Sequence, residues 1–198
     1  MMNIIVLTIL IVIFGMQLVI PKTRFAQKRN GFLVFSLLAL AVFGFQIYLS
    51  WKQYGIWKND EMGKFFLPPY QNFDYLVFYV RSRFFNPYLL SLFFGLLFFW
   101  AAKYLNKKYD GRFFEPIEPY LLGASMFAVG HPMWLFYFII LIILYFIINS
   151  LFTIHNSLFK KGEMPRISLY CVWLPAAIFT ILISKWISLL PWWQILKI

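Results

Sequence analysis

The chain has 198 residues, 62% of them hydrophobic and 13% charged, with a formal net charge of +11. Soluble domains are about 25% charged, and a soluble helix carries its charges along one face; long runs here carry none, which excludes a soluble helical protein. The reading is an all-α integral membrane protein, one polytopic domain over residues 1–198. The single cysteine, Cys171, excludes an internal disulfide, a CxxC redox pair and a cysteine-based zinc site. It is expected to be a small packing residue in a membrane helix. The basic residues lie in short loops between apolar runs, where they set membrane orientation and do not point to nucleic acid.

Crossing a bilayer takes about 20 apolar residues, and the runs are read in chain order on that scale. Residues 4–20 form the first span. No Lys or Arg precedes it, so the basic start of a cleavable signal peptide is missing. "PKTRFAQKRN" follows, with four basic residues and no acid. Residues 31–50 form the second span. Residues 51–83 are the one long polar region, rich in aromatics. Within it, "FDYLVFYVRSRFF" can lie flat in the headgroup region as an amphipathic segment. The third span is 84–102, and the basic "KYLNKKYDGR" comes after it.

Residues 119–154 are uncharged. As one helix they would extend roughly 54 Å, too long for a hydrocarbon core about 30 Å thick. "GHP" at Gly130 to Pro132 is the break, since glycine and proline punctuate helices. A short fourth span, 119–129, and a long fifth, 133–154, result. The sixth begins at Ile167 and ends near Pro191, with Trp192 and Trp193 suited to an interfacial belt. The loops after spans one, three and five hold the basic residues, Lys22, Arg24, Lys28 and Arg29, then Lys107, Lys108 and Arg112, then Lys160, Lys161 and Arg166. About six spans with those loops cytoplasmic follow from the positive-inside rule.

The candidate site residues are acids. The chain has seven, and none lies in residues 1–59. Glu115 and Glu118 are each followed by proline at the start of the fourth span, and nothing charged follows until Lys160. A carboxylate in a first helical turn meets a favourable dipole, and Pro119 suits the first helical position. Glu118 thus reads as a helix start, partly immersed, and intramembrane carboxylates are candidates for function. Pro116 and Pro119 make a regular helix across both acids unfavourable. The pair reads as surface carboxylates beside Arg112, ion-paired or solvated. His131 and His155 fall on opposite sides of the bilayer, so they cannot share a metal; no metal or cofactor is expected. Gln17, Gln46 and Asn149 are too few for an ion pathway and are expected to bond between helices, at about 0.6 kcal/mol each. Small residues Gly123, Ala124, Ser125, Ala176 and Ala177 are expected to pack spans four and six together.

The run "EPIEPYLLGAS", the turn, the long apolar helix, the basic loop and "RISLY" together resemble the second half of the type IV prepilin peptidases, a family of membrane aspartyl proteases. Their G-x-G-D motif falls on Glu115, Pro116, Ile117 and Glu118, with Leu121, Leu122, Gly123 and Ala124 in register after it. Tyr120 stands at the family's lysine position. Arg166 and Ile167 match its R-I-P, with Ser168 in place of the proline. The resemblance covers most of the chain in topology and residues 115–170 in motif. It implies a six-span, prepilin-peptidase-like fold in a bacterial or archaeal inner membrane. In the first half Ile20-Pro21 fits the family's turn, but no carboxylate accompanies it.

An aspartyl protease needs two carboxylates sharing one proton. With one absent and the other a glutamate, the expected function is that of a pseudoenzyme: a membrane subunit or scaffold of an envelope, secretion or pilus-type assembly, among lipid and other membrane proteins. A divergent peptidase with Glu118 as one acid and Glu115 as a candidate partner is the second reading. A small lipid- or quinone-interacting subunit of another complex is the third.

Overall fold

The computed structural model describes residues 2–111, 113–159, 169–191 and 193–196. Among them there are helices and turns and no strand. Helix α1 is Met2–Val19, α2 is Lys22–Phe25 and α3 is Lys28–Asn59. After a 3-10 turn at Gly63–Phe66 come α4, Phe73–Val80, a π-helical turn at Arg81–Phe85 and α5, Asn86–Lys108. Then follow α6, Glu118–Val129, α7, Met133–Phe159, α8, Trp173–Ile187, and α9, Trp193–Leu196. Arg112, the loop bearing Lys160, Lys161, Arg166, Ile167 and Ser168, the His155 side chain and Trp192 lie outside the described set.

Among the described residues three helices are long and apolar enough to cross a membrane: Lys28–Asn59, Phe73–Lys108 and Met133–Ile154. The apolar stretches Ile4–Val19 and Trp173–Ile187 are shorter. Helix α6 rises only about 18 Å, short of the ~30 Å core. Two of the expected spans are longer than the apolar runs suggest. Helix α3 continues nine residues past Ser50, and α4 with the π turn forms one 36-residue helix with α5. Lys52, Gln53 and Lys58 end the apolar run without ending the helix, because lysine and glutamine are good helix formers. "FDYLVFYVRSRFF" is therefore the leading end of the second of these long helices, not a separate segment.

The core is built around α6. Every residue of this helix except Tyr120 is buried. Its neighbours are α5, α3, α8 and α7, so it is covered on all sides and needs no polar face. Helix α5 turns Ser91, Gly95 and Ala102 inward, a stripe of small residues that lets backbones approach. A Cβ at Gly95 would come within 2.8 Å of the Gly123 carbonyl oxygen, and one at Gly123 within 3.1 Å of the Gly95 oxygen. Gly123 itself meets α5, with Phe99 and Phe35 beside it, while α6 also packs against α8 as the small-residue pattern suggested, with Ala176 and Ala177 buried. The Ser91 hydroxyl donates to the Met126 carbonyl at 2.6 Å. Helix α3 offers Gly31, Leu38, Val42 and Gln46, one stripe along an otherwise lipid-facing helix. The rings of Phe35, Phe43 and Tyr88 close around Phe127 at 6.2, 5.6 and 6.2 Å.

Candidate functional site

Both ends of α6 carry polar clusters. At its start, the two predicted acids come together, and their surroundings come from four other elements. The Asn106 side chain near the end of α5 brackets Phe114, donating to its carbonyl at 2.8 Å and accepting its N–H at 3.0 Å. That fixes the strand of chain entering the site. A turn then closes where the Glu118 N–H meets the Glu115 carbonyl at 3.0 Å. Glu118 begins the helix with Pro119 in its first turn, as the sequence indicates. Its carboxylate reaches back and accepts the Glu115 N–H at 3.1 Å, which closes the turn ahead of the helix from the other side.

The two acids differ in environment. Glu118 is 1% exposed, so the surface reading of the pair does not hold for it: the short α6 is drawn wholly inside the bundle and takes its first residue with it. Glu115 stays at the rim, where Lys22 of α2 donates to its Oε1 at 2.6 Å, the two side chains being 54% and 18% exposed. The cation is Lys22, supplied by the turn after Ile20-Pro21. The Lys22 ammonium also lies 5.4 Å from the centre of the Tyr170 ring. Tyr170 is buried in the turn before α8. The buried Gln17 amide donates to its carbonyl at 2.6 Å, and the Phe25 ring meets it edge-on at 6.2 Å. Burial first, then neighbouring negative charge including Glu115, pushes the Tyr170 phenol up to about 12. It stays protonated at neutral pH.

At the other end, Gly130 turns the chain with φ 72°, a conformation that favours glycine. His131 follows as a clasp among three elements. Its backbone N–H donates to the Pro87 carbonyl at 3.2 Å. Its Nδ1 accepts the Trp134 indole N–H at 3.1 Å, and its Nε2 faces the Leu196 carbonyl at 2.7 Å. This network requires the neutral tautomer with the proton on Nε2. Burial lowers the imidazole below its usual value, partly countered by the Leu196 carbonyl.

The remaining polar candidates divide. Gln17 bonds across elements as expected, and Gln46 is buried on α3. Asn149 is exposed on α7 and is not an interhelical contact. Cys171 is exposed: it lies in the turn ahead of α8, which starts only at Trp173, so it does not pack within a helix. No group of three or more His, Cys, Asp or Glu that could hold a metal occurs among the described residues.

The partners that Lys22, Gln17 and Asn106 find are not legible in the sequence. Lys22 and Glu115 are 93 positions apart, and Gln17 and Tyr170 153. No family model, no curated protein and no solved structure matches this chain.

Proposed function

We propose that the chain is a non-catalytic, prepilin-peptidase-like membrane subunit that serves as a scaffold in an envelope, secretion or pilus-type assembly. In this reading α1, α3, α5, α6, α7 and α8 are the six spans, the basic loops after spans one, three and five face the cytoplasm, and the bilayer is a bacterial or archaeal inner membrane. One observation carries it. Beside the α6 acids, the first half of the chain contributes the ammonium of Lys22, 2.6 Å from Glu115, and residues 1–59 hold no acid at all. Proton-sharing chemistry needs two carboxylates whose proximity raises one pKa. A lysine in that place favours the ionised form of Glu115 and cannot share its proton. The Lys22–Glu115 pair cross-links the α1–α3 elbow to the start of α6, which is the work of a scaffold.

A second reading keeps a peptidase with Glu118 as an acid, because this carboxylate is 1% exposed at the enclosed start of α6 and buried carboxylates are functional candidates. Complementation of a strain lacking the gene separates the two. The scaffold predicts that Glu118→Gln retains function, since the amide oxygen still accepts the Glu115 N–H, and that stability drops by about 0.5–2 kcal/mol. Loss of function in Glu118→Gln with retention in Glu118→Asp, at normal protein level, establishes the peptidase instead. Cysteine labelling should find positions 26 and 109 cytoplasmic and position 62 external.

A further inference from the structure

Helices α1 and α3 diverge from the elbow at α2 and leave a groove of about 560 Å³ between them. Its walls are aliphatic: Val12 and Met16 on α1 face Leu33 and Leu37 on α3. Phe25 and Asn30 close it at the elbow. The groove runs from Ile20 to Thr8 on α1 and from Asn30 to Ala41 on α3, roughly 17–18 Å at 1.5 Å per residue. One leaflet of hydrocarbon is about 15 Å deep, half of the ~30 Å core. The groove therefore has the length of one leaflet and begins at one membrane surface.

Its mouth is positively charged. Arg24 adjoins Phe25 and Arg29 precedes Asn30, and both basic side chains are exposed; Lys28 lines a separate cavity with Lys103, Lys107 and Tyr120. Residues 1–59 contain no acid to neutralise them. Lys22 of the same elbow is engaged by Glu115. The walls also discriminate between occupants. A partner helix packs closely through small residues, and here the small residues, Thr8 and Ala41, are only at the far end. Branched and flexible side chains along the rest suit a narrow, conformable chain.

We infer that this groove is a specific site for an anionic phospholipid, one acyl chain between α1 and α3 and the phosphate at Arg24 and Arg29. The site is independent of the scaffold reading, since it uses neither Glu115 nor Glu118.

The test is native mass spectrometry of the full chain released from bilayer discs of equal parts phosphatidylglycerol and phosphatidylcholine. One phosphatidylglycerol should remain bound, preferred over phosphatidylcholine by about tenfold or more. Arg24→Gln with Arg29→Gln should abolish the preference. Leu37→Trp, at an exposed position, fills the groove without changing charge and should remove the bound lipid with the protein still folded by circular dichroism. It keeps the experiment readable if the charge variant alters insertion. Equal retention of the two lipids by the unmodified chain overturns the site, as does lipid retention undiminished in Leu37→Trp. Occupation of the groove by a second copy or another apolar helix, seen as a complex that Leu37→Trp dissociates, overturns it too.

Discussion

Helix α6 and the end of the α3–α4 hairpin are both rich in large apolar side chains, yet they have opposite fates. Helix α6 is enclosed by four neighbours. Around Trp51 to Val80, large apolar side chains stay exposed, Trp51, Met62, Phe73 and Phe78 among them. That region holds itself together by rings. Trp57 lies 4.8 Å from Tyr79 and 5.5 Å from Phe66, and Phe66 stacks on Tyr75 at 5.4 Å. The Asp60 carboxylate accepts the Gly63 N–H at 2.7 Å where the chain turns. Hydrophobicity alone does not choose the core when the surrounding solvent is itself apolar. Close approach does, and close approach needs small side chains.

A matched pair of substitutions tests this most severely. Gly95→Ala should destabilise the protein by about 2–3 kcal/mol, at the upper range for overpacking, because the new Cβ meets a backbone oxygen at 2.8 Å that has nowhere to move. Gly55→Ala, near the end of α3 with nothing within 4 Å, should stabilise it by about 0.5–1 kcal/mol. Thermal melts in detergent read both. Equal effects would remove the distinction between the two regions.

The His131 clasp is expected to come next. His131→Gln should cost about 1–2 kcal/mol, since the Leu196 carbonyl and Trp134 indole lose well-placed partners. The pH dependence has a definite sign. Burial lowers the folded-state value below 6.5, so the unfolded chain takes up the proton first. The contribution is complete above about pH 6.5 and is lost as pH falls toward the lowered folded value. Melting temperature against pH should therefore show an acid limb in the native chain that shrinks in His131→Gln.

The smallest effect belongs to the rim of α6. Lys22→Gln should cost about 0.5 kcal/mol, because the lysine is 54% exposed and water screens the pair. A much larger loss would mean that the buried start of α6 depends on this cation, and would move the contrast from packing to charge.

Much of the helical order is legible in sequence. The break at Gly130 to Pro132 and the start of α6 at Glu118 follow from glycine, proline and the carboxylate. Helix ends outside the apolar runs are not, because hydropathy registers lipid contact and Lys52, Gln53 and Lys58 are compatible with either loop or helix. The Ser91–Gly95 spacing is a small-xxx-small pattern readable in α5, but its partner is not: Gly123 had several small-residue helices available and meets α5.

Sequence by itself determines that the chain has runs apolar enough to cross a membrane, that basic residues cluster between them, and that no acid of the first 59 residues can stand beside Glu115 or Glu118. Those are properties of composition and of local spacing. Tertiary structure alone decides that Lys22 meets Glu115, that Gln17 reaches the carbonyl of Tyr170, and that Glu118 is enclosed. Such contacts join residues as many as 153 positions apart, and the pairing is set by which helix faces can approach closely enough to exclude lipid from between them.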